Sequence, residues 1–161
     1  RINADKRTIF ELSVCFIITS MPGHLLYKDL SYQIRGACFE VYKKFGGDFK
    51  ESVINKALVK EFTVRGIKVE NQRRINLVYK GDKVGTYVPD VVVDDKIVLE
   101  LKAKPFISEG DERQFWRYFK ATDYKLGFLV NFGSRKLEIK RRVFDEARHP
   151  CLTGRQARSS A

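Results

Sequence analysis

Residues 89–102 of the chain have the sequence PDVVVDDKIVLELK, two runs of aliphatic residues separated by the polar residues DDK. Val and Ile are enriched in strands, and a short polar connection between two such runs is typical of a β-hairpin. The stretch also carries a Pro-Asp pair at its start and a Glu-Leu-Lys sequence at its end. The predicted hairpin therefore combines core residues with two carboxylates and an ammonium group at defined spacing.

The faces that these charged side chains occupy depend on the length of the hairpin loop. A three-residue loop pairs Val93 with Ile97 and therefore Asp90 with Glu100, which then lie on one face of the sheet. A two-residue loop places Asp90 opposite Leu99, which puts the two carboxylates on opposite faces. The apolar residues favour the longer loop, because Val91, Val93, Ile97, Leu99 and Leu101 then line the other face.

The chemistry of Asp90, Glu100 and Lys102 points to phosphodiester hydrolysis. The carboxylates bind one or two Mg²⁺, or Mn²⁺ in its place, and the metal polarises the phosphate and lowers the pKa of its bound water. The ammonium group of Lys102, on the same face as Glu100, then orients that water. The competing interpretation is a solvated hairpin face, since a Glu-x-Lys pair occurs in almost any chain of this composition.

The remaining elements are predicted from the period of the apolar residues. Spacings of three and four predict helices, whereas alternation or continuous β-branched runs predict strands. This gives the order ααβββαββ, an α/β fold with a mixed β-sheet flanked by helices. In chain order the segments are a helix over 26–45, a helix over 53–66, a meander of strands over 75–79, 84–93 and 97–103, a helix over 108–122, a buried strand over 126–132 and a final strand over 137–140.

Composition limits the class of protein. The chain has 161 residues, 43% of them hydrophobic, which predicts one folded domain, and its net charge of +11 favours an anionic partner. The longest apolar run, residues 12–18, is far shorter than the roughly 20 residues that span a bilayer. Three widely spaced cysteines, an odd number with no metal-binding pattern, are typical of the reducing cytoplasm.

The two ends are not expected to belong to the fold. Residues 1–24 are interpreted as a leader, with Met21 as one candidate start and a signal peptide, interrupted by Glu11, as the alternative. Residues 25–147 form the predicted domain. Residues 148–161 are polar and without period, so a disordered tail is expected.

Pro89, Asp90, Glu100 and Lys102 match the motif for which the PD-(D/E)XK nuclease superfamily is named, and the segment resembles that superfamily. The resemblance implies a restriction-endonuclease-like core in which Asp90 and Glu100 coordinate magnesium and Lys102 assists the attacking water. It also implies a further metal ligand from a helix, for which Glu51 at the start of the second helix is the candidate.

A closer resemblance covers residues 30–142, which are similar to the small bacterial GxxExxY proteins of that superfamily. Asp48 and Ile54 stand where the GxxExxY pattern has Gly and Tyr, and only Glu51 of the three is kept. Gln114 and Tyr118 match the Q-x-x-x-Y signature of the exonuclease-like branch and lie one helical turn apart. The other shared segments are IRGA (34–37), EVY (40–42), ESV (51–53), AL (57–58), YKG (79–81), GTY (85–87), ELK (100–102) and NFG (131–133).

The expected function is that of a Mg²⁺-dependent nuclease acting on nucleic acid, with DNA as the expected substrate although nothing in the sequence separates it from RNA. Lys104, two residues after Lys102, and the basic pair Arg73 and Arg74 are, with Gln114 and Tyr118, the candidate contacts to nucleic acid. No specificity domain fits in this length, so a homodimer or a helicase or methylase partner is expected. The rival hypothesis is a non-catalytic module that keeps the nuclease fold and binds nucleic acid or a partner protein.

Overall fold

The computed structural model of the chain describes residues 25–144. The predicted leader, residues 1–24, and the predicted tail, residues 148–161, lie outside the described residues. Within residues 25–144 the chain forms three helices and seven strands in the order ααβββββαββ. The predicted succession of helices and strand blocks is confirmed, but the block between the second and third helices contains five strands instead of three.

The first two helices, α1 (Lys28–Phe45) and α2 (Glu51–Val64), cover one face of the main sheet. Their apolar residues at three- and four-residue spacing form a stripe that packs into the larger of two hydrophobic clusters. This cluster includes, among others, Ile34, Val41, Ile54, Leu58 and Phe62.

The main sheet has five strands in the order β1-β4-β5-β6-β7, and a separate sheet pairs β2 with β3. Only β5 and β6 run parallel, and the other neighbours are antiparallel. The mixed sheet flanked by helices that the sequence predicts is thus confirmed. The strands are β1 (Val69–Asn71), β2 (Ile75–Tyr79), β3 (Asp82–Tyr87), β4 (Val91–Val93), β5 (Ile97–Lys102), β6 (Leu126–Asn131) and β7 (Glu138–Val143).

The predicted three-stranded meander is wrong, because the run from Val84 to Val93 is not one strand. β3 ends at Tyr87 and pairs with β2 alone, whereas β4 begins at Val91 and joins the main sheet. Pro89 lies in the break, and it has no N–H to donate to a ladder and restricts the residue before it. The other neighbour of β4 is β1, whose three residues are too few to show a period.

The three-residue loop of the hairpin is confirmed, since Val93 pairs with Ile97. Asp94 and Asp95 in this loop have φ of 50° and 54°, a left-handed conformation that Asp tolerates better than most residues. Leu99 and Leu101 are fully buried on the face covered by α1 and α2. The alternation of the strand therefore directs Glu100 and Lys102 to the other face.

The second face of the sheet carries the third helix, α3 (Glu109–Lys120), and a smaller hydrophobic cluster. Ser108 caps α3 and forms a reciprocal capping box with Asp111 at the start of the helix that the sequence predicts over 108–122. The buried strand β6 packs Phe128 against the first cluster and Leu129 against the second, so both of its faces are covered. None of the helices within residues 25–144 is long and apolar enough to cross a membrane.

Candidate active site

Glu100 and Lys102 form the centre of the site at the end of β5. Because they are two residues apart on the strand, both side chains leave the same face, and the Lys102 Nζ donates to Glu100 Oε1 at 3.1 Å. Burial disfavours the charge on Lys102, but the carboxylates of Glu100, Glu51 and Asp90 outweigh this effect, and the pKa of Lys102 is raised. Lys102 is therefore a hydrogen-bond donor at neutral pH and does not serve as a base.

Asp90 is held beside this pair by the backbone of β5. Its Oδ2 accepts a hydrogen bond from the N–H of Leu101 at 2.7 Å, across the hairpin. Burial raises the pKa of Asp90, the Leu101 bond lowers it, and the charge of Glu51 raises it further. The hydrogen bond to one carboxylate oxygen thus holds the Asp90 side chain in position, while its surroundings disfavour the ionised form.

Glu51 is the first residue of α2 and approaches the site from the helical layer. Burial raises its pKa, the charge of Lys102 lowers it, and that of Glu100 raises it. Burial raises the pKa of Glu100 as well, and Lys102 lowers it while Asp90 raises it. The charge of one neighbouring carboxylate thus disfavours the ionised form of each of the three. The four residues proposed for catalysis from the sequence therefore lie near one another in the structure.

A divalent cation is the chemical group that this donor set fits. Among residues 25–144, no three Asp, Glu, His or Cys side chains form a group that could hold a metal ion directly. Mg²⁺ does not require such a cage, because it usually keeps several waters and uses one or two carboxylates together with substrate phosphates. The chemistry of the donor set supports the fit, since carboxylate oxygens are the ligands that Mg²⁺ prefers. Burial raises the pKa of all three carboxylates and a carboxylate neighbour raises each further, an effect that a bound cation would oppose.

Tyr87 is a site residue that the sequence reasoning did not assign. Its hydroxyl donates to Glu100 Oε2 at 2.9 Å, so Tyr87 and Lys102 each occupy one oxygen of this carboxylate. Burial and the charge of Glu100 raise the pKa of Tyr87, which keeps its hydroxyl protonated as a donor. The segment GTY was noted only as a shared sequence mark, because nothing in a local pattern shows that β3 ends against β5.

The Q-x-x-x-Y residues lie on α3, on the same side of the sheet as Glu100. The ring of Tyr118 stacks on that of Tyr87, with centroids 5.3 Å apart and planes at 10°, and its side chain remains 40% exposed. Gln114, one turn earlier, is exposed. Lys104 pairs with Asp111 at 2.6 Å, and its backbone is fixed by the buried side chain of Asn131. Tyr118 is therefore linked to Glu100 through one intervening ring.

The basic pair Arg73 and Arg74 is not brought to the carboxylates. The guanidinium of Arg73 donates to Asp95 in the loop between β4 and β5, and it lies 3.5 Å from Glu70. Arg74 is exposed next to it. The two arginines precede β2, and their place in nucleic-acid binding stays a prediction.

The raised pKa of Glu100 predicts how the stability of the metal-free protein depends on pH. Because the folded pKa lies above the unfolded one, the folded state binds more protons between the two values, and the free energy of unfolding falls as the pH rises through this window. Glu100→Gln lacks this titrating group, so its free energy of unfolding should not fall in the same way. We therefore expect the variant to become more stable relative to the parent chain as the pH rises from below the ordinary pKa of Glu to neutrality. Urea unfolding in EDTA at a series of pH values measures this difference, and a difference that is independent of pH would contradict it.

Comparisons with known proteins were made by family model, by curated protein and by solved structure. A family model described as the PD-(D/E)XK nuclease superfamily matches residues 28–142. The matched range covers most of the chain and includes the three carboxylates and the lysine described above. The searches of curated proteins and of solved structures found no match.

Proposed function

The chain belongs to the PD-(D/E)XK nuclease superfamily, and on this basis we propose that it is a Mg²⁺-dependent nuclease that hydrolyses phosphodiester bonds in DNA. The observation that carries the proposal is the meeting of Asp90, Glu100 and Lys102 at the end of β5, where the Leu101 N–H holds Asp90 and Lys102 donates to Glu100. Glu51 is near enough to raise the pKa of Asp90 and of Lys102. An ammonium group among three carboxylates that repel one another is chemically suited to a cation and a phosphate. The superfamily implies nucleic acid as the class of substrate.

Each residue has a separate task in this proposal. Asp90 and Glu100 would hold the metal, and Glu51 is the third candidate ligand. Bound Mg²⁺ supplies the polarisation of the phosphate and the lowered pKa of the attacking water. Lys102, kept protonated by its carboxylate neighbours, would donate hydrogen bonds to the attacking water and the phosphate and so orient them. Mn²⁺ is expected to replace Mg²⁺ because it has the same preference for oxygen ligands.

We also propose that the chain is one of the bacterial GxxExxY proteins within the superfamily. Two of the three residues of the naming pattern depart from it. Ile54, in place of the Tyr, is buried in the cluster between α2 and the sheet. Asp48, in place of the Gly, is exposed before α2. Glu51, the residue that is kept, is the one that approaches the site.

The nucleic acid is proposed to lie along the face that carries α3. Tyr118 and Gln114 are exposed there, and Lys104, two residues after Lys102, forms an ion pair with Asp111 of the same helix. We place the protein in the cytoplasm, where the buried free thiol of Cys38 stays reduced. A homodimer or a helicase or methylase partner remains our proposal for how the substrate is selected.

Cleavage of labelled single-stranded DNA, duplex DNA and matched RNA by the full chain tests the proposal. We expect cleavage with Mg²⁺ or Mn²⁺ and none with EDTA. Loss of the water-orienting ammonium in Lys102→Ala is expected to lower the rate about 100-fold. Lys60→Ala, an exposed lysine more than two turns beyond Glu51 in α2, is the matched control and should retain the parent rate.

A second function is supported by the state of the metal-free site. Lys102 already forms an ion pair with Glu100, and the Tyr87 hydroxyl donates to the other oxygen of the same carboxylate. If Lys102 and Glu100 stay paired with each other when nucleic acid binds, neither is available for a metal ion or the phosphate. The chain would then be a non-catalytic binding module. Salt-sensitive binding of DNA without cleavage in either metal would support that function and contradict the enzymatic one.

A further inference from the structure

The β2–β3 hairpin is a two-stranded sheet of its own, inserted between β1 and β4 of the main sheet. It runs from the pair Ile75 and Tyr87 at its base to the pair Tyr79 and Asp82 at its tip. The turn consists of Lys80 and Gly81, with φ of 50° and 93°. Positive φ at both central residues is the geometry of the tight hairpin turn that matches the twist of the strands.

The base of the hairpin is attached to the candidate active site. Tyr87, its last residue, donates to Glu100 and belongs to the smaller hydrophobic cluster, against which Ile75 and Leu77 also pack. The orientation of the hairpin is therefore fixed relative to the carboxylates. A register shift between Leu77 and Val78 marks the point where the paired strands leave this packing.

The outer half of the hairpin is exposed to an extent that folding alone does not explain. Val78, Tyr79 and Val84 are 60%, 62% and 64% exposed, although such side chains are usually covered. Lys80 and Lys83 are exposed between them, and the Lys80 Nζ lies 5.4 Å from the centroid of the Tyr79 ring. The tip thus presents apolar and aromatic groups flanked by two ammonium groups.

We propose that the tip of the β2–β3 hairpin, residues 78–84, is a DNA-binding arm that contacts the nucleic acid to one side of the scissile phosphate. This inference rests on the proposed function, since it extends the same substrate beyond the site. A two-stranded ribbon fits the major groove of a duplex, lysines neutralise phosphates, and an aromatic ring stacks on bases.

Charge favours DNA over a second copy of the chain as the partner that binds the hairpin tip. The net charge is +11, so two copies repel each other, whereas a polyanion is attracted. The tip itself carries Lys80 and Lys83 against the single acid Asp82. A protein–protein contact through the exposed valines is the alternative that the experiment must separate.

The length of the arm predicts how much DNA it needs. From Tyr87 to the turn, strand geometry gives about 20 Å, which corresponds to about six base pairs of duplex. An arm that lies along the duplex therefore needs DNA that extends past the site by at least this length. The contribution of the arm should therefore appear only with longer DNA.

Equilibrium binding of the full chain to fluorescent DNA in EDTA, where cleavage cannot occur, tests the arm. The tip variant is Lys80→Ala/Lys83→Ala. Its control is Lys28→Ala/Lys60→Ala, which removes the same charge from exposed lysines of α1 and α2, on the other face of the sheet. With duplex or single strands of about 24 nucleotides, we expect the tip variant to lose about tenfold in affinity and to lower the salt slope by about 2 on duplex. On single strands, whose bases are free to stack on the ring, Tyr79→Ala should add a further loss of about fivefold.

Each outcome decides the inference separately from the proposed function. Equal affinities of the tip variant and the control, or a parent chain that binds no DNA, would overturn the arm. Binding that depends on the tip without any cleavage in Mg²⁺ supports the arm and overturns the nuclease. Light scattering tests the alternative of a contact between two copies of the chain. A parent chain that is dimeric and a tip variant that is monomeric, with the same affinity for DNA, would assign the tip to that contact and overturn the arm.

Discussion

Asp90→Asn is expected to lower the rate of metal-dependent cleavage about 10⁴-fold without unfolding the protein. The charge of a metal ligand is worth several kcal/mol in the transition state, and about 5 kcal/mol corresponds to this factor. The amide oxygen of Asn can still accept the hydrogen bond that the Leu101 N–H donates to Asp90, so the local structure is retained. Removing a buried carboxylate with a raised pKa should also stabilise the metal-free protein at neutral pH.

Asp94→Asn is the matched control for this experiment. It makes the same chemical change just past the other end of β4, where Asp94 forms an ion pair with Lys96 and has a φ that Asn tolerates well. We expect the control to cleave at the parent rate. Single-turnover cleavage in Mg²⁺ measures both, and a near-parent rate for Asp90→Asn would remove Asp90 from the site.

Gly133→Ala is expected to destabilise the protein by about 3 kcal/mol, a drop of about 10 °C in the unfolding midpoint. A Cβ at this position would fall on the backbone of Ala103 and Lys104, with the carbonyl oxygen of Lys104 at 2.7 Å. Backbone cannot move aside as a flexible side chain can. The same contact region is fixed by Asn131, which is fully buried and bonds both the N–H and the C=O of Lys104.

The Gly133 substitution should also affect the active site, because the crowded backbone follows Lys102 directly. Gly110→Ala in the first turn of α3 is the control, since its Cβ would meet only Ser108 Oγ at an ordinary 3.5 Å. Ala is the better helix former, so this control should be unchanged or more stable by about 0.5 kcal/mol. Thermal unfolding followed by circular dichroism compares the two, and equal midpoints would show that the backbone contact near Gly133 can relax.

Most of the helical layer could be predicted from local patterns. The apolar spacing in α1 and α2 and the capping box of Ser108 and Asp111 act within one or two turns, so the sequence contains all the information that these elements need. The final strand was placed correctly but too short, over 137–140, whereas β7 runs over Glu138–Val143. Its last residues, RRV, are paired with β6, and pairing partners are not visible in a single segment.

The core of the candidate site could also be predicted, because one hairpin contains most of it. The polar loop and the two apolar runs determine the register of β4 and β5, and the register determines that Asp90 and Glu100 share a face. Lys102 follows from the two-residue period of the strand. These three residues lie within 13 positions of one another, from 90 to 102, so short-range rules suffice.

Neighbours along the chain thus specify the helices, the hairpin register and the carboxylate-lysine motif. Three features appear only in the folded chain: β2 and β3 leave the main sheet, Tyr87 donates to the second oxygen of Glu100, and the Arg73 guanidinium pairs with Asp95. The approach of Glu51 to the end of β5 was implied by resemblance and depends on how α2 packs on the sheet. Such contacts join residues far apart in the chain, and they are selected by the packing of whole elements, which no local period records.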